Sequence, residues 1–387
     1  MKIQQLEVGI VGAGLGGLAA AIALQQQGIP TQVYEKAQEL QPIGAGLTLF
    51  PNGLKVLDAI APGIVETLKR LGSETHQVKL QSSTGDLFGQ NQLTLTEKYS
   101  YPMLNLRWSD LQATLISRLP TEIIHLDHQC VDFASCDRGV QIQFSNGQTS
   151  NVDLLIGADG IHSLIRQRLV KDGSPCYAGR LSWRAVIPYQ DELLSQHTAT
   201  IVNGAEGKNF LLVDVGNGQF FWSAGALMAE GLQSDSPETV KSRVLETFAN
   251  WAAPVEAIVE ATPPTAIIER PIYDRPPLAT WSDRNLTLLG DAAHPMVPSL
   301  GQGANMAFED AWELAHCLAE QPTIAAALAS YEHSRVYRTQ IIQVRSSVQG
   351  SRSYDPDSKT VLLGVMEQAH VAQAAFEDWL YNISLER

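Results

Sequence analysis

The stretch VGIVGAGLGGLAAAIALQQQG, Val8 to Gly28, restricts the fold more than any other part of the chain. A short apolar run, read as a buried strand, enters a glycine turn and then an Ala/Leu-rich helix that stops at Gly28. Gly12, Gly14 and Gly17 fit G-x-G-x-x-G. The first glycine permits a tight turn, the second lets backbone approach a pyrophosphate, and the third lets helix pack on strand. Phosphates would then meet the helix N-terminus, where free N–H groups and the helix dipole favour an anion. A second strand, TQVYEKA, follows, and its Glu35 stands where an acid accepts hydrogen bonds from ribose hydroxyls. That acid would repel a 2′-phosphate, so the site is not one for NADP. Strand, turn, helix and acid together read as a dinucleotide site, with FAD and NAD both open at this point.

Bulk properties narrow the class. The 387 residues suit two interwoven domains, and 44% hydrophobic against 18% charged residues describes a globular chain with a large core. A formal net charge of −14 argues against nucleic acid, whose phosphates demand a basic face. Cys130, Cys136, Cys176 and Cys317 are scattered without a C-x-x-C pair, so neither a metal site nor a disulfide framework is expected. No secretory signal precedes the first strand, and no apolar run is long enough to span a membrane. A soluble, cytoplasmic protein with no integral membrane segment is the expectation; oligomeric state is not legible.

Two further stretches repeat the strand-then-turn grammar. NVDLLIGADGIHSLIRQRL runs from a buried strand through a Gly/Asp turn into a helix carrying Arg166 and Arg168. NLTLLGDAAHPMVPSLGQGANMAFEDA passes from strand to Gly290–Asp291, crosses a stiff proline-rich loop and opens a helix at Ala304. Asp291 is placed to bind a sugar-like hydroxyl, and Gly301 and Gly303 let backbone reach a flat ring. The helix buries Ala307, Phe308, Ala311, Leu314, Ala315 and Leu318 at helical spacing. Its free N–H groups would face an anionic ring edge.

These three motifs, in this order and spacing, resemble the single-component (group A) FAD-dependent monooxygenases, the family of p-hydroxybenzoate, salicylate and urate hydroxylases and of zeaxanthin epoxidase. The resemblance runs from the N-terminus to about residue 350. It implies an α/β fold of p-hydroxybenzoate hydroxylase type: a Rossmann-like FAD-binding domain, an inserted mixed β-sheet substrate domain and C-terminal helices. The FAD domain is expected over residues 1–70, 99–175 and 275–350. The substrate domain is expected over 71–98 and 176–274, and a helical region over 351–387. By resemblance, Gly12, Gly14 and Gly17 would hold the FAD pyrophosphate and Glu35 the adenosine ribose. Arg107 would lie beside the ribityl-phosphate region, and Asp159 in the segment that serves FAD and the visiting NAD(P)H. Asp291 would bind the ribityl chain, and the backbone of Gly301, Gly303 and Ala304 would face the pyrimidine edge of the flavin. NAD(P)H would be co-substrate, and O2, activated as a flavin C4a-hydroperoxide, would give one oxygen atom to a small organic substrate. The implied enzyme is an FAD-dependent NAD(P)H monooxygenase.

Since the cofactor carries the chemistry, no catalytic triad is needed, and no nucleophile elbow is present. His294 sits in the flavin loop as a candidate base, although a local structural bond is the favoured reading. Between the second and third motifs, RLSWRAVIPY, TATIVNG, NFLLVDVGNG and QFFWSAGAL read as short strands, with a hairpin at VGNGQFFW. Alternation puts Phe220, Trp222 and Ala224 on one face and Phe221 and Ser223 on the other, without saying which face is core. Phe210, Leu212, Phe221, Met296 and Pro298 are candidate substrate walls, and Arg184 a candidate for orienting an anionic substrate. Hydroxylation of a small aromatic or heteroaromatic compound is the main expectation. Epoxidation of a carotenoid-like polyene and an uncoupled NAD(P)H oxidase or sensor are the alternatives. One departure from the family pattern is Gln41–Pro42, where many relatives carry an arginine near the flavin.

Overall fold

A computed structural model describes residues 6–40, 45–136, 139–232, 236–350 and 375–385. Its first sheet has six strands in the order Ser282–Asp283, Leu286–Leu288, Leu154–Gly157, Val8–Val11, Thr31–Tyr34 and Ile124–His125. All neighbours pair parallel except the Ser282–Asp283 edge. Val8–Val11 and Leu154–Gly157 are buried along their whole length, as strands covered on both faces must be. On one face lie the helices Leu15–Gln26 and Gly303–Glu320, packed on each other. On the other lies an antiparallel meander of Cys130–Cys136, Gly139–Phe144 and Thr149–Val152, whose Val152 and Ile142 side chains meet the sheet at Gly9.

The second sheet has seven strands in the order Ile268–Asp274, Cys176–Pro188, Gln219–Leu227, Asn209–Asp214, Thr198–Asn203, Gln77–Ser82 and Leu87–Gln92. It is mixed: Thr198–Asn203 and Gln77–Ser82 run parallel, the other pairs antiparallel. The expected hairpin is present, turning through Gly216, Asn217 and Gly218, all at positive φ. The helices Pro237–Thr247 and Val255–Ala261 cover one face. Between helices and sheet lies a core of Trp183, Phe210, Leu212, Trp222, Phe248 and their neighbours. Phe210 stacks on Trp222 with centroids 5.4 Å apart, and Phe248 meets Phe210 edge-on at 5.5 Å. Each such ring removed from water stabilises the fold by about 2–3 kcal/mol.

A small sheet of Gly46–Leu49, Met103–Arg107 and Ser73–Thr75 lies between the two large ones. The ring of Phe221, on the uncovered face of the seven-stranded sheet, fills the space beside Gly46, whose Cβ would stand 2.4 Å from it. The third motif leads into Gly303–Glu320, and a long helix, Ile324–Gly350, packs against it. Phe376–Tyr381 forms a last short helix, and Phe376 and Leu380 bury against Ile341 and Ile342. Most of the expected C-terminal helical region, residues 351–374, lies outside the described residues.

None of the four cysteines is in a disulfide; Cys130 and Cys317 are buried and Cys136 and Cys176 exposed. Burial pushes the Cys130 thiol up to about 12, which leaves it protonated and unreactive at neutral pH. A thiol-counting assay is therefore expected to find two reactive groups in the native protein and four after denaturation. A native count of three or more would contradict this packing.

Candidate functional site

At the end of strand Val8–Val11 the chain turns at Gly12, whose φ is +111° and whose added Cβ would lie 2.3 Å from the carbonyl oxygen of Ala158. A Cβ on Gly17 would lie 2.0 Å from the Gly12 oxygen, so that glycine lets the helix seat on the turn. Gly14 differs: it is the N-cap of Leu15–Gln26, and its Cβ would meet nothing within 4 Å. The protein's own packing does not require a glycine there, whereas a ligand approaching the bare helix end does. No side chain caps that end, and no acid occupies its first turn.

Glu35 closes the same site from the second strand. Its Oε2 accepts the Ala13 N–H at 2.8 Å and its Oε1 the Ala37 N–H at 3.0 Å, which fixes the carboxylate at the cleft. Gln112 donates to the Ala13 carbonyl at 3.1 Å. Around them opens a cleft of about 770 Å³ lined by Ala13, Gly14, Glu35, Trp108 and Gln112, among others. That volume is in the range of cofactor sites. The open face at Gly14 and the carboxylate at the rim fit the pyrophosphate and ribose of FAD. Arg107 is the N-cap of helix Trp108–Ile116, next to the cleft-lining Trp108, and its guanidinium forms a two-point pair with Asp110 at 2.8 Å.

The second motif meets the first at the Ala158–Gly12 contact. Asp159 Oδ2 accepts the N–H of Leu164 at 2.8 Å, while its Oδ1 is buried without a partner. Burial pushes this carboxyl up, against the bonds from Ser163 and the helix start that lower it. Ser163 caps Leu164–Val170 by accepting the Arg166 N–H. Arg166 is wholly buried. It donates to the carbonyls of Ala292 and Ala293 at 3.2 and 2.8 Å and pairs with Asp172 at 2.7 Å, tying the second motif to the third. Arg168 is exposed and reaches Asp132 at 3.4 Å.

In the third motif Asp291 opens to solvent, yet the protein massed around it pushes its carboxyl up, with His294 opposing. Its Oδ1 stands 3.8 Å from where a Gly303 Cβ would be, at the N-terminus of Gly303–Glu320. Gly301 takes the left-handed conformation, φ +63°, against the Phe50 ring. Asn305 staples this turn: its Nδ2 donates to the Gly301 carbonyl at 2.9 Å, and its Oδ1 accepts the Phe50 N–H at 3.0 Å. Ala304 is partly buried beside them. His294 is wholly buried beneath the loop and bonds Asp310 through Nε2 at 2.5 Å. This bond ties the loop to the helix Gly303–Glu320, and the His294 Nδ1 is buried without a partner among the described residues.

Under the loop lies a feature that sequence reading missed. Asp310 accepts from His294, from the Gly290 N–H at 3.1 Å and from Arg335 Nε at 2.8 Å. Glu309 accepts from Arg335, from Arg338 at 2.6 Å and from Asn52 at 2.8 Å. Both acids and Arg335 are buried. Its signal in the sequence is Glu309–Asp310 in the middle of an otherwise apolar helix face.

The wall candidates separate. Phe210 and Leu212 are wholly buried on the helix-covered face, so they belong to the core and do not line the cleft. Phe221 lies on the opposite face, toward Gly46. Met296 packs with Leu300 against Met306 and Ile341, beneath the third motif, and Pro298 is exposed. Arg184 is on the Phe221 face and half-buried. Gln41 and Pro42 lie outside the described residues.

Three segments thus converge on one nucleotide-binding α/β sheet with a second sheet facing it, the arrangement of a flavoprotein oxygenase. Residues 5–345 match the family model described as the FAD binding domain. The chain is 33% identical to aurachin C monooxygenase/isomerase of Stigmatella aurantiaca over 86% of each chain. It is 32% identical to 6-hydroxynicotinate 3-monooxygenase of Pseudomonas fluorescens, over 88% of this chain and 90% of that one. Klebsiella pneumoniae HpxO, solved with FAD and uric acid, superposes with a TM-score of 0.86 at 26% identity, over 97% of this chain and 96% of that one. The chain belongs to the group A FAD-dependent monooxygenases. It is an FAD-binding oxidoreductase, and among its described residues no helix is long and apolar enough to cross a membrane.

Proposed function

We propose that this enzyme takes electrons from NAD(P)H and one oxygen atom from O2 to hydroxylate a small aromatic or heteroaromatic compound. The observation that carries the reading is the Gly301–Gly303 turn, which sets the uncapped N-terminus of Gly303–Glu320 beside the exposed Asp291. A helix end of this kind stabilises negative charge on the edge of a flat ring. When bound, FAD supplies the redox and oxygen-activating chemistry. The chain's own residues bind and orient it. Gly12, Gly14 and Gly17 shape the pyrophosphate seat, Glu35 takes the adenosine ribose, and Arg107 and Asp159 flank the nucleotide. Asp291 holds the ribityl chain, and the Gly301, Gly303 and Ala304 backbone meets the pyrimidine edge. His294 positions this loop from beneath.

Support for the substrate class comes from the relatives' names: hydroxynicotinate, urate and amino-hydroxybenzoate are all small rings. These favour ring hydroxylation over polyene epoxidation or an uncoupled oxidase. The test is NAD(P)H oxidation by the FAD-loaded protein against phenolic acids, purines, indoles and solubilised xanthophylls, run under isotopically labelled O2. One labelled oxygen in an aromatic product is expected. Peroxide release with no labelled product from any compound would reject the monooxygenase reading for this chain.

A further inference from the structure

The last described helix, Phe376–Tyr381, lies beyond the residues that the family model matches. Phe376 and Leu380 give it an apolar anchorage on Ile341 and Ile342. Two further sets of contacts leave it by separate routes, and both end on the turn at Gly301–Gly303.

The first route is aromatic. Tyr381 stacks on Phe50 with ring centroids 5.7 Å apart and planes 9° from parallel, and Tyr99 meets the Tyr381 ring edge-on at 5.4 Å. Burial, with Glu377 and Tyr99 adding to it, pushes the Tyr381 hydroxyl up, so the ring is neutral at ordinary pH. Phe50 in turn lies against Gly301, whose added Cβ would stand 3.0 Å from the Phe50 Cε2. The Phe50 N–H and the Gly301 carbonyl are joined through the one Asn305 side chain. Close-packed groups pass a displacement on to their neighbours. A shift of the Tyr381 ring is therefore felt by Phe50 and, through it, by the backbone of the turn.

The second route is polar. Arg338 donates to the carbonyls of Trp379 and Leu380 at 3.1 and 2.8 Å, and its guanidinium lies over the Trp379 ring, 4.5 Å from the centroid. Those carbonyls belong to the last turn of the helix, where acceptors lack intrahelical donors. The same guanidinium donates to both oxygens of buried Glu309, at 2.6 and 3.0 Å. Glu309 accepts from Asn52, whose Nδ2 also donates to Gln302 Oε1 at 3.0 Å. Gln302 is the N-cap of Gly303–Glu320 and is buried. Its Nε2 has no partner among the described residues, so the bond from Asn52 is what holds the carboxamide. The two routes share no residue, yet they arrive at adjacent positions, 301 and 302.

Resting on the placement of the flavin's pyrimidine edge at Gly301–Ala304 given above, we propose that the C-terminal segment is a positioning element of the cofactor seat. Tyr381 acts through Phe50, and Arg338 acts through Glu309 and Asn52. Docking of the segment holds the turn in its FAD-receiving form, and by linkage FAD binding strengthens the docking in equal measure.

Two measurements decide this. In the first, FAD is titrated by fluorescence into apoprotein of wild type, Tyr381→Ala, Tyr381→Phe, Phe50→Leu and the double variant Phe50→Leu/Tyr381→Ala. Tyr381→Ala is expected to weaken FAD binding about tenfold, and Tyr381→Phe, which keeps the ring, to bind like wild type. In the Phe50→Leu background Tyr381→Ala should add less than about a twofold loss, because the route is already cut. The second measurement needs no variant: hydrogen exchange of the amides of residues 376–382 in wild type should slow several-fold when FAD is added. Those of the edge strand Leu87–Gln92 in the other sheet should not change. Tyr381→Ala that lowers the apoprotein's melting temperature but binds FAD like wild type would show a merely structural role and overturn the proposal. So would additive losses from Phe50 and Tyr381, or tail amides indifferent to FAD. The midpoint potential of the bound flavin tests the underlying placement separately. It should fall in Tyr381→Ala, since a displaced helix end favours the negatively charged reduced ring less. A coupled loss of affinity with an unchanged potential would uphold the positioning role and refute the placement of that helix end against the pyrimidine edge.

Discussion

Replacing Arg335 with methionine is expected to destabilise the protein by about 3–5 kcal/mol, the range seen when one partner of a buried ion pair is removed. Arg335 is the shared donor of the buried cluster: Nε reaches Asp310 Oδ1 at 2.8 Å, Nη1 reaches Glu309, and Nη2 donates to the Met306 carbonyl at 3.2 Å. Without it Asp310 keeps only His294 and the Gly290 N–H, and Glu309 only Arg338 and Asn52. Burial alone would push both carboxyls up; Arg338 and Arg335 around Glu309, and His294 and Arg335 around Asp310, outweigh it and hold both below the usual carboxylate range. A depressed native pKa contributes stability that is full above the unfolded value, roughly 4, and is lost as pH falls through the native one. In the variant, protonation instead relieves an under-paired buried charge. The gap in stability between wild type and variant should therefore be widest near neutral pH and narrow on acidification below about pH 5. Urea unfolding of the apoprotein across that range is the measurement. A loss under about 1 kcal/mol, or a gap that widens in acid, would show that the cluster does not hold the loop as described.

The second large effect is on cofactor affinity. Gly14→Val should leave the apoprotein folded, because the added Cβ meets no protein atom within 4 Å and the residue sits in extended backbone at φ −70°, ψ 176°. The expected change in apoprotein stability is less than about 1 kcal/mol, as for an unfavoured N-cap residue. FAD affinity, in contrast, should fall about a hundredfold or more, since the side chain keeps the pyrophosphate from two or so backbone N–H donors, worth ~3 kcal/mol together. Gly17→Ala is the comparison: its Cβ would lie 2.0 Å from the Gly12 oxygen, so it should damage the apoprotein itself. Thermal unfolding of both apoproteins and fluorescence titration with FAD separate the two cases. If Gly14→Val binds FAD like wild type, the pyrophosphate does not approach this helix end.

The glycine turn at Gly12, the helix stop at Gly28 and the hairpin through Gly216–Gly218 were all readable from the chain, because each depends on backbone conformations that few residues accept. The alternation of Phe220 to Ser223 was likewise readable, since side chains in a strand must alternate. Which face would be covered was not. Both faces of that hairpin are apolar, and the choice was made by Pro237–Thr247 and Val255–Ala261, helices that arrive later in the chain and bury Phe210, Leu212 and Trp222. This is why two of the wall candidates turned out to be core and Phe221 did not.

The same division runs through the charged residues. Sequence alone determined that Glu35 ends a strand beside a nucleotide turn and that a helix without early acids follows the proline-rich loop, because spacing along one segment sets both. It did not determine that Arg166 would brace Ala292 and Ala293, or that Arg335 would reach Glu309 and Asp310. Local patterns are settled by the dihedral preferences and periodicity of neighbouring residues, whereas a charge's partner is whichever group the packed helices and sheets bring within a few ångströms. Only the tertiary structure decides that, since the energy of a buried charge depends on everything around it and not on its neighbours in the chain.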